Sequence, residues 1–400
     1  MQTLQERFIE LREKLTERHI ERYDEVEIML ISILTGYHSV LVGPPGTAKS
    51  MLAEDMTRVF DVKLFKWLFT KFTTPEEIFG PFNLALLKEG RYERIVDRKA
   101  PTAHICFYDE VFKANSAILN SQLTLMNERL FDNGTERIKC PLISVIAASN
   151  ELPEGEELNA LFDRFHFRKK VDYIHEPGNF VRMLKLTGDY ELPTFTLDEL
   201  HEAQAEVRRV TIGRDTRDTM VEIRSAMQME GLIASDRRYF QSQLALKAMA
   251  WLYDRPAVGD DDFRILEHML WSEPSEIKRV SRVILSKTNP IDQAANEIID
   301  EIDDIAGNLT SALMDAKARG DDDKSTLTKQ GIEWFTKCRT LSSEIKRLER
   351  KALEEGRPLN KIEQAKDRVL AVANEIGTAA IGLEVEDLKF RGRGEDEGDE

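Results

Sequence analysis

The sequence predicts an α/β fold, a five-stranded parallel sheet that is doubly wound, followed by an all-α remainder. Three observations predict it. Five short apolar runs alternate with amphipathic segments up to about residue 173, the order of βαβ units. The strand pattern then vanishes from Leu197 to about Glu276. From Asn296 onward, apolar residues recur at spacings of four and three in three runs divided by short polar breaks.

Residues 1–37 read as helices, with Leu4, Phe8 and Leu11 on one face and Val26, Met29, Leu30 and Ile33 on another. They lead into a strand, Val40-Leu41-Val42, which ends abruptly in Gly43-Pro44-Pro45-Gly46-Thr47-Ala48-Lys49-Ser50-Met51 and a helix running to Phe60. A strand, a glycine-containing loop and a helix start are the context of a phosphate-binding loop, whose backbone N–H groups and helix N-terminus face an anion. Lys49 adds a full charge at the phosphates, and the Ser50 hydroxyl is placed to hold Mg²⁺. The residue before the lysine is Ala48, where such loops usually carry glycine. Left-handed bending is therefore expected at Gly43 or Gly46 and not at Ala48.

Lys63–Phe69 reads as the second strand, and Thr73-Thr74-Pro75-Glu76-Glu77 as a helix start. Gly80–Val96 reads as a hairpin turning at Lys88-Glu89-Gly90-Arg91. The apolar run Ile105–Tyr108 ends in Asp109-Glu110, which sets two carboxylates at the tip of a buried strand, the edge where open α/β sheets bind ligands. Downstream of a phosphate loop, Asp109 suits Mg²⁺ and Glu110 suits the orientation of an attacking water. Helix is expected over Ala117–Leu130, then a hairpin at Asn133-Gly134. Ile143–Ser149 is a further buried strand ending at Asn150, whose amide stands at the same edge as a ligand group or as a cap of the next turn. Arg164 closes the short helix of LFDRF as a phosphate-seeking group or a plain helix-end cation, and Phe167–Tyr173 is the last strand.

In the helical region, Ser235 and Asp236 are expected to cap a helix running to Tyr253. Arg237 then lies in the first turn, where a cation is unfavourable unless an anion is near, which makes it a candidate phosphate sensor. The three distal runs are Ile298 to Ala316, Phe335 to Ala352, and Ile362 through Ile376 and Ala379 to Leu383. With breaks at 319–323 and 356–358 they predict an antiparallel bundle or coiled-coil arm, and Arg391–Glu400 predicts a disordered acidic tail. The expected domains are thus 1–190, α/β; 191–276, all-α; 277–388, the helical arm; and 389–400, the tail.

Composition narrows the function classes. The 400 residues allow two or three domains, and the net charge of −16, from 56 basic and 72 acidic residues, disfavours nucleic acid held by bulk charge. Three cysteines are too few and too scattered for a disulfide framework or a zinc site, so reduced thiols and a cytoplasmic setting are expected. The start, MQTLQERFIELREKL, has no apolar signal core, and no run approaches the ~20 apolar residues of a membrane span.

Taken together, GPPGTAKS, CFYDE, the Asn133-Gly134 hairpin before VIAASNE, and LFDRF resemble the AAA+ ATPases and, within them, the MoxR family. The hairpin resembles the pre-sensor-1 hairpin of that clade, and the stretch around Lys88–Arg91 lies where its helix-2 insert belongs. TTPEEIFGP, LKEGRYERI, MNERLFDNG, AASNELPE and SDRRY are similar to the regulatory ATPase variant A (RavA) branch, as is Ile20-Glu21-Arg22-Tyr23 standing where many MoxR proteins carry a Val-Gly-Gln box. The resemblance covers about residues 1–275; beyond Glu276 it thins, because the loops between the three distal helices are too short for the β-rich domain of that branch.

The resemblance implies a homo-oligomeric ring, usually a hexamer, that hydrolyses ATP with Mg²⁺ to remodel a protein client. Lys49, Ser50, Asp109, Glu110 and Asn150 would act in cis, Arg164 as an arginine finger in trans, and Arg237 as sensor 2. A companion with a von Willebrand A domain is implied as a separate chain. The alternatives are a nucleic-acid translocase on the same core, and a nucleotide-gated scaffold of slow or no turnover. Glu110 and Arg164 argue against the scaffold, which needs neither.

Overall fold

A computed structural model of the chain describes residues 2–153, 156–186, 190–319, 324–355 and 359–382. The expected tail, the polar breaks at 320–323 and 356–358, and Leu383 lie outside the described residues. Contacts divide the chain into two units, one through Ile284 and one from Leu285 onward.

In the first unit the strands are β1 (Ser39–Val42), β2 (Phe60–Asp61), β3 (Leu64–Leu68), β4 (Ile105–Asp109), β5 (Leu130–Asn133), β6 (Glu136–Lys139), β7 (Ser144–Ser149), β8 (Phe167–Lys170) and β9 (Phe195–Thr196). Five of them form the expected parallel sheet in the order β3-β4-β7-β1-β8. The central strands β1 and β7 are buried at every position and apolar apart from serines at their ends, as a parallel sheet covered on both faces requires. Register sets Val42 beside Ser149, and Asp109 beside Ala148, so β1, β4 and β7 end level. The segments leaving those three strands therefore emerge along one edge.

The helix Tyr23–Thr35 is buried nearly all round, including Glu25 and Glu27. Burial raises the Glu25 carboxyl to about 6, and Glu27 accepts hydrogen bonds from Arg264 at 2.7 Å and from the Tyr253 hydroxyl. The helical region after β9 is held to the amino-terminal helix Leu4–Arg18 as well, through Gln5 to the Trp251 carbonyl at 2.7 Å and Arg12 to the Leu252 carbonyl at 2.8 Å.

Two hairpin expectations part ways. Asn133-Gly134 does turn between paired antiparallel strands, β5 and β6, but Asn133 is itself the last paired residue. Its amide accepts from the Arg94 N–H at 2.7 Å and donates to the Arg94 carbonyl at 3.2 Å. Gly134 sits against the same segment: a Cβ there would lie 2.7 Å from the Tyr92 oxygen. The stretch Gly80–Val96 returns antiparallel, bridging Phe82 to Arg94, yet its interior is the helix Leu84–Lys88, with Asn83 accepting from the Ala85 N–H. An Asn N-cap before LALLK favours helix over strand.

At the opposite, amino-terminal edge, His38 and His166 are packed beside β1 and β8. The His38 Nδ1 accepts from the Val145 N–H at 2.9 Å, and His166 stacks on Tyr37 with centroids 4.2 Å apart. Burial lowers both imidazoles, His166 to about 3, so the folded protein keeps them neutral. As pH falls below about 6.5, the unfolded chain takes up protons that the folded one refuses. Stability is therefore full above that pH and lost on acidification, by about 2 kcal/mol at pH 5 for His166 alone. Urea midpoints at pH 7 and pH 5 should show this drop, and His166→Asn should reduce it by the His166 share while His38 keeps its own; an equal drop in the variant would refute the assignment.

Among the described residues the second unit contains the long helices Pro290–Arg319, Lys324–Glu355 and Asn360–Ile376, with Ile302, Leu309, Cys338, Ala352, Ala365 and Val372 at its core. One register expectation fails: Ala379 is exposed and Ala380 buried. Gly377–Ile381 is a π-turn, whose extra residue per turn slips the apolar phase by one. Thr328 donates to the Ala380 carbonyl at 3.2 Å, and Gly331 admits this close approach, since a Cβ there would stand 2.8 Å from the Ala380 Cβ.

Candidate active site

The phosphate-loop geometry begins with β1 ending under β8. Gly43 admits no side chain, because a Cβ would lie 2.0 Å from the Val171 oxygen. Gly46 takes the left-handed conformation, at φ 81°, with open space around it. Ala48 does so too, at φ 65°, against expectation. The strain of about 1–2 kcal/mol for a non-glycine residue there is outweighed by what surrounds the loop. The loop wraps the Lys49 ammonium, which donates to the Gly43 and Pro44 carbonyls at 2.7 and 2.8 Å and to the Thr47 hydroxyl at 3.2 Å. Lys49 is buried, and burial lowers its pKa while Asp109 and Glu110 oppose the shift.

The other expected groups converge on this loop. The Ser50 hydroxyl donates to Asp109 at 3.0 Å, across the helix start and the end of β4. The Asn150 amide oxygen accepts from Lys49 at 3.2 Å, while its NH₂ donates to Glu110. Glu110 also meets Lys113 at 3.2 Å and sits at φ 53°, a second strained residue at the same edge. Met51 follows, 43% exposed, on the first turn of the helix.

One hydroxyl and one carboxylate, Ser50 and Asp109, are hard oxygen donors suited to Mg²⁺. No group of three or more metal-ligating side chains occurs among the described residues.

Arg164 and Arg237 are elsewhere. Arg164 precedes β8 by three residues, and β8 starts level with Ser39, the beginning of β1. Lys49 lies beyond the other end of that strand, about 10 Å of rise away. Arg237 joins Arg164 there: the Asp163 carboxylate accepts from Arg237 at 2.6 Å and from the buried Arg238 at 2.9 Å, with Arg168 and Arg164 each at 3.5 Å. Burial raises the Asp163 carboxyl, but Arg238, Arg168 and Arg237 outweigh it and hold the group below its ordinary range. Ser235 caps this helix, accepting from the Arg238 N–H at 3.3 Å.

The sequence reading missed three residues. Arg238 carries the buried contacts, Tyr173 donates to the Pro45 carbonyl at 3.3 Å, and Arg22 grips the phosphate loop from outside. Arg22 and Tyr173 are remote in sequence from the loop, and no spacing rule joins them to it; only the missing Val-Gly-Gln box marked the Arg22 segment.

A parallel sheet with a glycine-containing loop, a lysine and two carboxylates at one edge is the arrangement of a P-loop nucleotide-binding protein. Comparison with known proteins supports this directly. Residues 6–207 match the family model described as the MoxR domain of MoxR-vWA-beta-propeller ternary systems, and residues 215–284 match an AAA lid domain. The chain belongs to the MoxR family of AAA+ ATPases. It is 36% identical over 355 residues to uncharacterized protein MJ0812 of Methanocaldococcus jannaschii, covering 88% of this chain and 94% of that protein. It is 28% identical over 152 residues to chaperone MoxR1 of Mycobacterium tuberculosis, covering 37% of this chain and 40% of that one. In fold it is similar to a crystal structure of a candidate ATPase from Cytophaga hutchinsonii, with a TM-score of 0.57, 20% identity, and coverage of 72% of this chain and 95% of that one.

Proposed function

We propose that the chain hydrolyses ATP with Mg²⁺ as a head-to-tail homo-oligomeric ring, most simply a hexamer, and uses the energy to remodel a protein client in the cytoplasm. The observation that carries the reading is the division of the site between two sheet edges. Lys49, Ser50, Asp109, Glu110 and Asn150 meet at one edge, whereas Arg164 and Arg237 share Asp163 at the other. This separation supports a site completed by the arginines of a neighbouring chain.

In this reading the loop N–H groups of Gly43–Met51 and Lys49 bind the phosphates, and Ser50 and Asp109 hold Mg²⁺, which supplies charge neutralisation when bound. Glu110 accepts the proton of the attacking water, and Asn150, held between Lys49 and Glu110, orients both. The neighbour's Arg164 and Arg237 stabilise the developing charge in trans. Four guanidinium groups around one carboxylate leave that edge attractive to an anion.

The description of the matched family supports a companion bearing a von Willebrand A domain, and the name of the mycobacterial relative supports chaperone-like work. Among the described residues no helix is long and apolar enough to cross a membrane. Within the family we place the chain beside the RavA branch on its TTPEEIFGP and SDRRY motifs.

The test is ATPase rate against protein concentration, with mass read by light scattering. Specific activity should rise as the ring forms. Activity independent of concentration in a monomer would refute the shared site, and stimulation by DNA would favour a translocase instead.

A further inference from the structure

Ala48 is held in a conformation it does not favour, so something must hold it. The Thr47–Ala48 peptide joins the carbonyl of Thr47 to the N–H of Ala48, and turning that unit aims the N–H. Arg22 is buried, at 7% exposure, and its Nε donates to the Thr47 carbonyl at 3.2 Å. The same guanidinium donates from Nη2 to the Asp172 carbonyl at 2.7 Å, just past β8, and from Nη1 to the Glu21 carbonyl at 2.8 Å. All three of these acceptors are backbone carbonyl oxygens. Glu21, at φ 58°, is tied in turn: its carboxylate accepts from the N–H groups of His175 and Glu176, at 2.8 and 3.0 Å, and from the Asn179 side chain at 3.1 Å.

We propose that Arg22 is the positioning residue of the phosphate loop: its forked guanidinium fixes the Thr47–Ala48 peptide in the strained, anion-facing orientation by bracing it on the chain that leaves β8. The proposal rests on the reading of this loop as the nucleotide site. Geometry favours a positioning role over simple added charge, because Nε, Nη1 and Nη2 each hold a different backbone carbonyl, so the rigid plane of the guanidinium fixes the three segments relative to one another. Glycine at position 48 would need no brace, because it enters the left-handed region freely.

The experiment is a coupling cycle read by titration with a fluorescent ADP analogue. It uses the full chain as wild type, Arg22→Ala, Arg22→Lys and Ala48→Gly, both double variants, and Lys49→Ala as a control. Arg22→Ala should weaken binding at least tenfold in the Ala48 background. The loss should shrink about tenfold when residue 48 is glycine, the ratio matching the left-handed penalty of alanine. Arg22→Lys keeps the charge but not the fork, so it should behave like Arg22→Ala and show the same rescue. If Arg22→Ala does not fold, the lysine pair carries the cycle alone. Equal losses in both backgrounds, or full binding by Arg22→Lys with Ala48, would overturn the proposal while Lys49→Ala still abolishes binding. Failure of the wild type to bind, or unchanged binding by Lys49→Ala, would instead overturn the nucleotide reading itself.

Discussion

Glu110→Gln is expected to lower ATP turnover by about 10²–10⁴-fold, the worth of a positioned general base, while nucleotide binding stays near that of the wild type. The substitution conserves shape, and its amide oxygen still accepts from Asn150, so the local frame of Lys49, Asn150 and residue 110 is retained. What disappears is the ability to take a proton from water and the ion pair with Lys113 at 3.2 Å. Lys113 is 40% exposed, so that pair adds little to stability. Steady-state ATPase assays beside titration with a fluorescent ADP analogue separate the two properties. Turnover at the wild-type rate would remove Glu110 from the role of water-polarising group, and a parallel loss of binding would assign it to ground-state binding instead.

The range of the forces involved decides how much of this was legible in the sequence. The strands were readable because a parallel sheet buried on both faces demands unbroken apolar runs, as in Val40–Val42 and Ile105–Tyr108. The groups at their ends came with them: once the register is parallel, Lys49, Asp109, Glu110 and Asn150 must share an edge. Local rules also gave the helix start at Thr74-Pro75 and the cap at Ser235. Long-range and collective choices were not readable. Propensity forbids left-handed alanine, and it was overridden at Ala48 by a guanidinium 26 positions upstream. The arginine pair of SDRRY was read as one sensor, Arg237, whereas folding splits it into an exposed cation and a buried one, both on Asp163. The π-turn at Gly377–Ile381 likewise shifts a phase that periodicity alone carries straight on to Ala379.

The sharing of Asp163 bears on the other large effect. Arg164→Ala should cut turnover about 10³–10⁵-fold, as loss of an arginine finger does, without weakening binding at the chain's own phosphate loop. The reason is positional: Arg164 stands at the start of β8 and Lys49 beyond the end of β1, at opposite edges of one sheet. Part of the Arg164 side chain is already oriented, with Nη1 at 3.5 Å from both the Ala160 carbonyl and Asp163, and Nε buried without a hydrogen-bond partner. A stronger test than the single variant is mixing. Arg164→Ala and Glu110→Gln are each inactive alone, but in a mixed ring a Glu110→Gln subunit can offer its intact Arg164 to the complete phosphate loop of an Arg164→Ala subunit. With random head-to-tail assembly about a quarter of the sites regain every group, so activity should return on mixing. A mixture as inactive as its components, in rings shown by light scattering to have exchanged subunits, would place Arg164 in cis and refute the division of the site between two chains.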